Sequence, residues 1–378
     1  MMNRTQATIG VDRCIFELRQ GRAVCLDGYD DRLVYVSVES DLEASRSFLE
    51  ELAGDTVQLL LTASRAKRLG LGGKPLAISL DSAYETNWIR DLAFADPGPL
   101  TDFADVGKAI DITDDALVAS AFYVARVAEA LPALLAVRTS QAARAGIDRA
   151  VNQGMVLTAS VDAVATYRRS ATSQVYRLSE APVPLAASRD VRFVAYRGAD
   201  ALTDHLAILV GQPELQETPL VRLHSACITG DAFHSLRCDC GEQLSTALDR
   251  MAEAGHGIVC YLAQEGRGIG IGNKLRTYNF QDHGLDTLEA NEALGFAADE
   301  RDFAIAARML EDLGIGSVRL LTNNPDKIGR LTSAGIDVFD RVPMNATLNP
   351  FNQRYISARV EKSGYMFGEG QVARDDAA

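Results

Sequence analysis

The first 204 residues contain no histidine; all five (His205, His224, His234, His256 and His283) lie beyond them. Histidine is the commonest acid–base group near neutral pH, so the N-terminal half is the poorer candidate for catalysis, although carboxylates, Lys and Tyr remain available. Cysteine is sparse as well, six in 378 residues, too few for a disulfide scaffold. No apolar run approaches the ~18 residues that a membrane helix needs. The longest candidate, 116–137, is broken by Arg126, Glu129 and Pro132. The opening MMNRTQATIGVDR lacks the apolar stretch of a secretory signal, which makes the cytoplasm the expected location. Basic residues are outnumbered, 38 Lys and Arg against 51 Asp and Glu, for a net charge of −13. That balance argues against a nucleic-acid partner, because counterion release needs clustered cations. A small anion remains a possible ligand if its basic contacts are local.

What is present is the composition of an ordinary folded protein, 47% hydrophobic and 24% charged, with length for about two domains. The expected class is α/β throughout. In the N-terminal half, Asp12 can cap a short helix over 13–20, strands are expected at 23–26, 33–38 and 57–61, and 41–52 has helical spacing. The Ala/Leu-rich stretch 114–137 reads as helix, with Pro132 kinking or ending it. Ala181-Pro-Val-Pro-Leu185 is a natural extended linker, which places a domain boundary between about 176 and 202. Beyond it strands (220–224, 257–262, 317–322, 336–342) alternate with helices (241–254, 273–281, 287–294, 302–313, 325–334, 349–363). The expected division is 1–190, 200–367 and a frayed polar tail, 368–378.

Chemistry concentrates in four segments. Cys227, Cys238 and Cys240 lie in one polar stretch, CITGDAFHSLRCDC. Three thiols suit zinc and leave a fourth position open for water, as in catalytic sites; His224 or His234 in that position would make the site structural. The bland reading is a set of reduced, partly buried thiols. Cys260, Cys14 and Cys25 sit in apolar contexts and read as core. Next, 265–272 (EGRGIGIG) joins a strand to a helix; alone it fits a plain turn as well as a ligand loop, but the neighbouring Arg267, Lys274 and Arg276 tip it toward a phosphate or nucleobase site. Third, Thr322-Asn-Asn-Pro-Asp-Lys327 runs from a strand into a helix capped by Asn324; free amides, Thr322 and Lys327 then point toward the ligand end of an α/β sheet, the bland reading being an ordinary capped helix. Last, Asp299-Glu-Arg-Asp302 opens a helix, where carboxylates usually do no more than complement the dipole.

Together the stretches VRLHSACITGDAFHSLRCDCGEQL, QEGRGIGIGNKLRTYNFQDHGLDTLEANEALGFAADERDF and VRLLTNNPDKI resemble GTP cyclohydrolase II, over about Leu220–Tyr365. The resemblance implies a mixed sheet with flanking helices, hydrolysis of GTP to formate, pyrophosphate and a diaminopyrimidinone ribosyl phosphate, one zinc per subunit, magnesium with the substrate, and a homodimer. Position by position it implies zinc on Cys227, Cys238 and Cys240, lowering the pKa of bound water toward ~7 for attack on C8 of guanine. It makes Tyr278 a neighbour of the reacting ring, Asp299 a proton acceptor and Arg301 a partner of the α-phosphate. Substrate contacts are implied for Arg222, Leu223, His224, Ser225, Ala226, Gln243, Glu265, Gly266, Arg267, Thr287, Thr322 and Lys327. Two residues depart from the family pattern: Ala226 replaces a usual Glu and Gly272 a bulky aliphatic.

The N-terminal half faintly resembles dihydroxybutanone phosphate synthase, in CIFELRQGRAV and LTASRAKRLGL. That family's acidic metal-binding stretch is reduced here to LDGYDDRLVY and its histidines are missing. The expectation is a degenerate, non-catalytic domain that shapes assembly or stability. Alternatives for the whole chain are a divergent paralogue, stopping at partial ring opening or acting in pyrimidine breakdown, and a nucleotide-binding module without turnover.

Overall fold

The structure is a computed structural model and describes residues 6–53, 56–80, 84–95, 108–171, 175–198, 203–344, 346–366 and 372–374. The chain divides into two compact units, 1–169 with 269–300, and 170–268 with 301–378. This departs from the expected cut near residue 190. Segment 269–300, expected with the C-terminal domain, packs into the first unit.

The first unit is built on a seven-stranded sheet ordered β5-β4-β3-β6-β2-β1-β7. Its strands are β1 (Val24–Asp27), β2 (Arg32–Ser37), β3 (Val57–Leu61), β4 (Leu76–Leu80), β5 (Ala109–Asp111), β6 (Ala133–Arg138) and β7 (Leu157–Ser160). All pairings are antiparallel except β1 with β7. The expected long helix over 114–137 is a correction: helix occupies Ala116–Val127, and the residues after Pro132 form β6 at the centre of the sheet. LLAV buries every side chain, as a strand covered on both faces must. Periodicity cannot tell such a run from a buried helix. Helices Gly270–Asp282 and Thr287–Ala293 add Phe280, Ala290, Leu294 and Phe296 to the core around Leu59, Ile78 and Leu135.

The second unit carries a sheet ordered β14-β13-β11-β12-β10-β9-β8. These are β8 (Val175–Pro182), β9 (Val191–Gly198), β10 (Asp204–Gly211), β11 (Leu220–Ser225), β12 (His256–Leu262), β13 (Ser317–Leu321) and β14 (Asp337–Val342). The strands β14, β13, β11 and β12 run parallel, and β10, β9 and β8 extend them as an antiparallel meander. Side chains alternate along β12: Ile258, Cys260 and Leu262 pack on one face with Phe303 and Met309, while Val259 faces Ala247 and Met251. Cys260 is core, as expected, and so are Cys14 and Cys25. The presumed linker 181–185 starts as the last residues of β8, an edge strand, where Pro182 costs no ladder bond, and continues with Val183 and Leu185 donating to the Val191 and Ser188 carbonyls. Residues 199–202 of the expected boundary lie outside the described residues. So does much of the expected frayed tail, but Val372–Arg374 (β16) pairs in parallel with Ala346–Leu348 (β15).

Candidate metal and substrate site

In the second unit the loops after β11, β12 and β13 leave the carboxyl ends of parallel strands, the usual ligand end of an α/β sheet. The loop after β11 carries Cys227, a short helix Ile228–Asp231 and then Cys238, with Cys240 opening helix Cys240–Ala254. The three Sγ atoms lie within 4.8 Å of one another, and those of Cys227 and Cys238 are 3.6 Å apart. Thiolates about 2.3 Å from one tetrahedral ion stand about 3.8 Å apart, so the trio could hold a metal. Contact with Cys227, more than burial, pushes the Cys238 thiol up to about 12, and Cys240 is raised well above the ordinary value by its two neighbours and burial. Crowded thiols ionise together only if a cation compensates them.

No histidine joins this cluster among the described residues. His224, at the end of β11, turns Nε2 to Asp231, 3.1 Å from Oδ1 and 3.2 Å from Oδ2. Its ring stacks on Tyr261, whose hydroxyl donates to Asp231 at 2.9 Å. The Cys227 N–H donates to the same carboxylate at 3.0 Å. Burial, against the pull of Asp231, lowers the His224 pKa. Its Nδ1 and the Ser225 hydroxyl are buried without a hydrogen-bond partner among the described residues, as polar atoms kept for a ligand would be.

Below the cysteines runs a buried polar chain. Arg222 donates to Gln243, Gln243 to Asp239, and Arg359 holds Asp239 through two bonds of 2.7 and 2.8 Å. Arg359 also donates to the Tyr365 hydroxyl at 2.9 Å. Burial raises the Tyr365 phenol, but Arg359, Arg301 and Arg267 outweigh it and bring its pKa below the usual value. A phenol depressed by three guanidinium groups marks a strongly positive locality inside an acidic protein.

The loop after β12 starts with Glu265, which accepts the Ile228 N–H at 2.6 Å and so ties itself to the cysteine loop. Gly266 and Arg267 follow in the left-handed region, with φ 62° and 63°. That conformation is costly for arginine and turns the loop sharply at a proposed substrate contact. After β13, Thr322 accepts the Asn324 N–H at 3.0 Å. Lys327 is buried and donates to the Leu223 carbonyl at 2.7 Å. Lys327 and Arg301 lie 5.4 and 5.1 Å over the Phe303 ring.

Several sequence expectations need correction here. The Asn323 amide is not free, because it bonds the Met344 backbone through both its nitrogen and its oxygen. Asn324 does cap its helix, at 3.0 Å to the Asp326 N–H. Asp299 to Asp302 precede rather than open their helix, which starts at Ala304 with Asp302 accepting the Ala304 N–H. Arg276, expected beside a phosphate, instead pairs with Glu39 and lies over Phe94. Lys274 is buried, with its ammonium 5.9 Å from the Tyr278 ring centre.

Cys227, Cys238, Cys240, Arg222 to Ala226, Gln243, Glu265 to Arg267, Arg301, Thr322 and Lys327 all fall in the second unit. Tyr278, Thr287 and Asp299 fall in the first, each partly exposed. Sequence reasoning missed Asp231, Arg359 and Tyr365. Asp231 could have been noticed from its place between two proposed ligands; nothing in their surroundings marks Arg359 and Tyr365. It also missed Gly230, where a Cβ would stand 2.9 Å from Cys238 Sγ and 3.1 Å from Cys227 Sγ.

The family model of GTP cyclohydrolase II matches residues 176–343. A GTP cyclohydrolase-2 of Azospirillum brasilense is 40% identical over 361 residues, 94% of this chain and 94% of that protein. One from Xylella fastidiosa (strain 9a5c) is 37% identical over 367 residues, 95% of this chain and 87% of its own. One from Citrobacter koseri is 48% identical over 196 residues, its full length but 52% of this chain. A protein of that name can therefore be half as long. A solved two-domain 3,4-dihydroxy-2-butanone 4-phosphate synthase from A. baumannii covers 89% of this chain and 99% of its own at 15% identity, but its TM-score of 0.32 carries no weight.

Proposed function

The chain belongs to the GTP cyclohydrolase II family, and from that premise we propose that it hydrolyses GTP to formate, pyrophosphate and 2,5-diamino-6-(5-phosphoribosylamino)pyrimidin-4-one, the entry to riboflavin synthesis. The observation that carries this reading is the convergence of three cysteine sulfurs within 4.8 Å at the carboxyl end of a parallel sheet. Cys227, Cys238 and Cys240 would hold one zinc per subunit, which when bound polarises water and lowers its pKa toward ~7. The chain's own groups supply the rest. His224, oriented by Asp231, and Ser225 present unpaired polar atoms to the substrate. Arg267, Arg301 and Lys327 would offset triphosphate charge locally, and magnesium accompanying the substrate would supply further positive charge.

The roles of Tyr278 beside the guanine ring, of Asp299 as proton acceptor, of Arg301 at the α-phosphate and of Thr287 as a substrate contact rest on the motif match. Leu223, Ala226 and Gly266 would contribute backbone contacts, and Arg222, Gln243, Glu265 and Thr322 complete the proposed set. We place the protein in the cytoplasm as a homodimer, and assign no synthase activity to the histidine-poor N-terminal half. No helix among the described residues is long and apolar enough to cross a membrane.

The test is incubation of zinc-loaded protein with GTP and magnesium, following formate, pyrophosphate and the pyrimidine. All three should appear together. Formate without pyrophosphate would favour the divergent paralogue. Tight GTP binding without turnover would favour a nucleotide-binding module and direct attention to Ala226.

A further inference from the structure

Segment 269–300 carries Tyr278, Thr287 and Asp299, and the N-terminal residues of the first unit grip it at several points. Asn273 donates to the Glu129 carbonyl at 2.9 Å, Arg276 pairs with Glu39, and Arg126 lies 3.7 Å from Glu300. The strongest hold is Arg65, 1% exposed. Its Nε donates to Leu92 O at 2.8 Å, Nη1 to Ala293 O at 2.7 Å, and Nη2 to Asp91 O and Ala95 O at 2.7 and 2.8 Å. These carbonyls lie in the last turns of helices Thr86–Phe94 and Thr287–Ala293, where the helix dipole is negative and the final oxygens lack intrahelical donors, although Asp91 O also accepts the Ala95 N–H. One guanidinium thus closes two helix C-termini, which the fork of an arginine can do and the point charge of a lysine cannot.

Thr62 completes the clasp. Its hydroxyl caps helix Ala63–Arg68 by accepting the Arg65 N–H, and donates to the Gly295 carbonyl at 2.8 Å. Gly295 has φ +91°, and a Cβ there would stand 2.8 Å from that hydroxyl, so the turn is moulded to Thr62. Phe296 then enters the core at 1% exposure, three residues before Asp299.

We propose that Arg65 and Thr62 are positioning residues for the cyclohydrolase reaction: by fixing the end of helix Thr287–Ala293 and the turn after it, they set where Thr287 and Asp299 stand. The N-terminal half is then a built-in support for catalytic groups. This rests on the roles given above to Thr287 and Asp299.

The experiment uses the full, zinc-loaded chain and compares wild type with Arg65→Ala, Arg65→Lys and Thr62→Val. It reads kcat and KM for GTP, zinc content, and hydrogen exchange over 287–300. We expect kcat to fall about tenfold or more in both Arg65 variants, since small misplacements of catalytic groups carry costs of that size. Zinc should stay stoichiometric and exchange over 287–300 should quicken. Millimolar guanidinium should restore part of the Arg65→Ala rate, and equal urea should not. A folded Arg65 variant with wild-type kcat overturns the proposal, as does a slowed variant with unchanged exchange over 287–300. If Arg65→Ala does not fold, Thr62→Val decides, with the same expectations at smaller size and wild-type kcat and exchange as the refuting result. Failure of wild type itself to turn over GTP would instead sink the assigned reaction, and this proposal with it.

Discussion

Asp231 accepts from His224, Tyr261 and the Cys227 N–H, so one carboxylate fixes an imidazole, a phenol and the backbone of a proposed metal ligand. Asp231→Asn keeps the shape but loses the charge, and an amide nitrogen turned to a donor would face another. Removing such outer partners weakens metal sites by about 10- to 100-fold, so zinc affinity measured by chelator competition should fall on that scale with the fold intact. Unchanged affinity would reduce Asp231 to a local hydrogen-bond acceptor. Cys238→Ser removes one of three sulfur ligands and should abolish both stoichiometric zinc and formate release. Full activity with bound zinc in that variant would refute the ligand assignment. The cysteines were legible because thiols are rare in polar loops; Arg359 and Tyr365 were not, because their meaning lies in the distant Asp239 they back.

At the scale of elements, the cysteine site depends on how closely two helices meet. Short helix Ile228–Asp231 and helix Cys240–Ala254 touch through Gly230 and Gly241, where a Cβ on Gly241 would stand 2.3 Å from the Gly230 carbonyl oxygen. Gly230→Ala should force these helices apart, costing about 1–3 kcal/mol of stability and loosening the sulfur cluster. Thermal unfolding and zinc titration of that variant check both effects, and a wild-type result in each would show that the contact has slack. Alternation and apolar runs made β1, β2, β3 and β11 to β14 readable beforehand, whereas β4, β5, β7, β9 and β10 were not expected, and Asp12, taken as a cap, lies inside helix Gln6–Arg19. β6 was taken for helix, since a strand buried on both faces has lost the alternation that would identify it.

Across the whole molecule, acidity has a directional consequence. His205 in β10 is buried, accepts the Ala263 N–H on Nδ1, and has its pKa lowered to about 4 from 6.5, chiefly by burial. Between those values the unfolded chain binds the proton and the folded one does not, so stability rises with pH. The contribution is complete above about pH 6.5 and is lost progressively as pH falls toward 4, amounting to about 3 kcal/mol. Urea midpoints of the second unit should therefore drop between pH 7 and 4.5, and His205→Gln should flatten that dependence. An identical slope in the variant would locate the acid sensitivity elsewhere. The net charge of −13 does not contradict an anionic substrate, because Arg267, Arg301 and Arg359 act together on one phenol while the acidic excess is spread over the chain.

The sequence by itself determined where to look: three thiols in a polar loop, a glycine-rich strand–helix junction and a capped TNNPDK turn stand out as candidates through residue type and short-range spacing. Tertiary structure decided the alliances. That 269–300 belongs with the N-terminal half follows from long-range contacts such as Arg65 reaching the Ala293 carbonyl, 228 residues along the chain. That His224 serves Asp231 rather than the cysteine cluster follows from where β11 points it. Local pattern records what a residue can do, whereas burial and long-range hydrogen bonds select which partner it does it with.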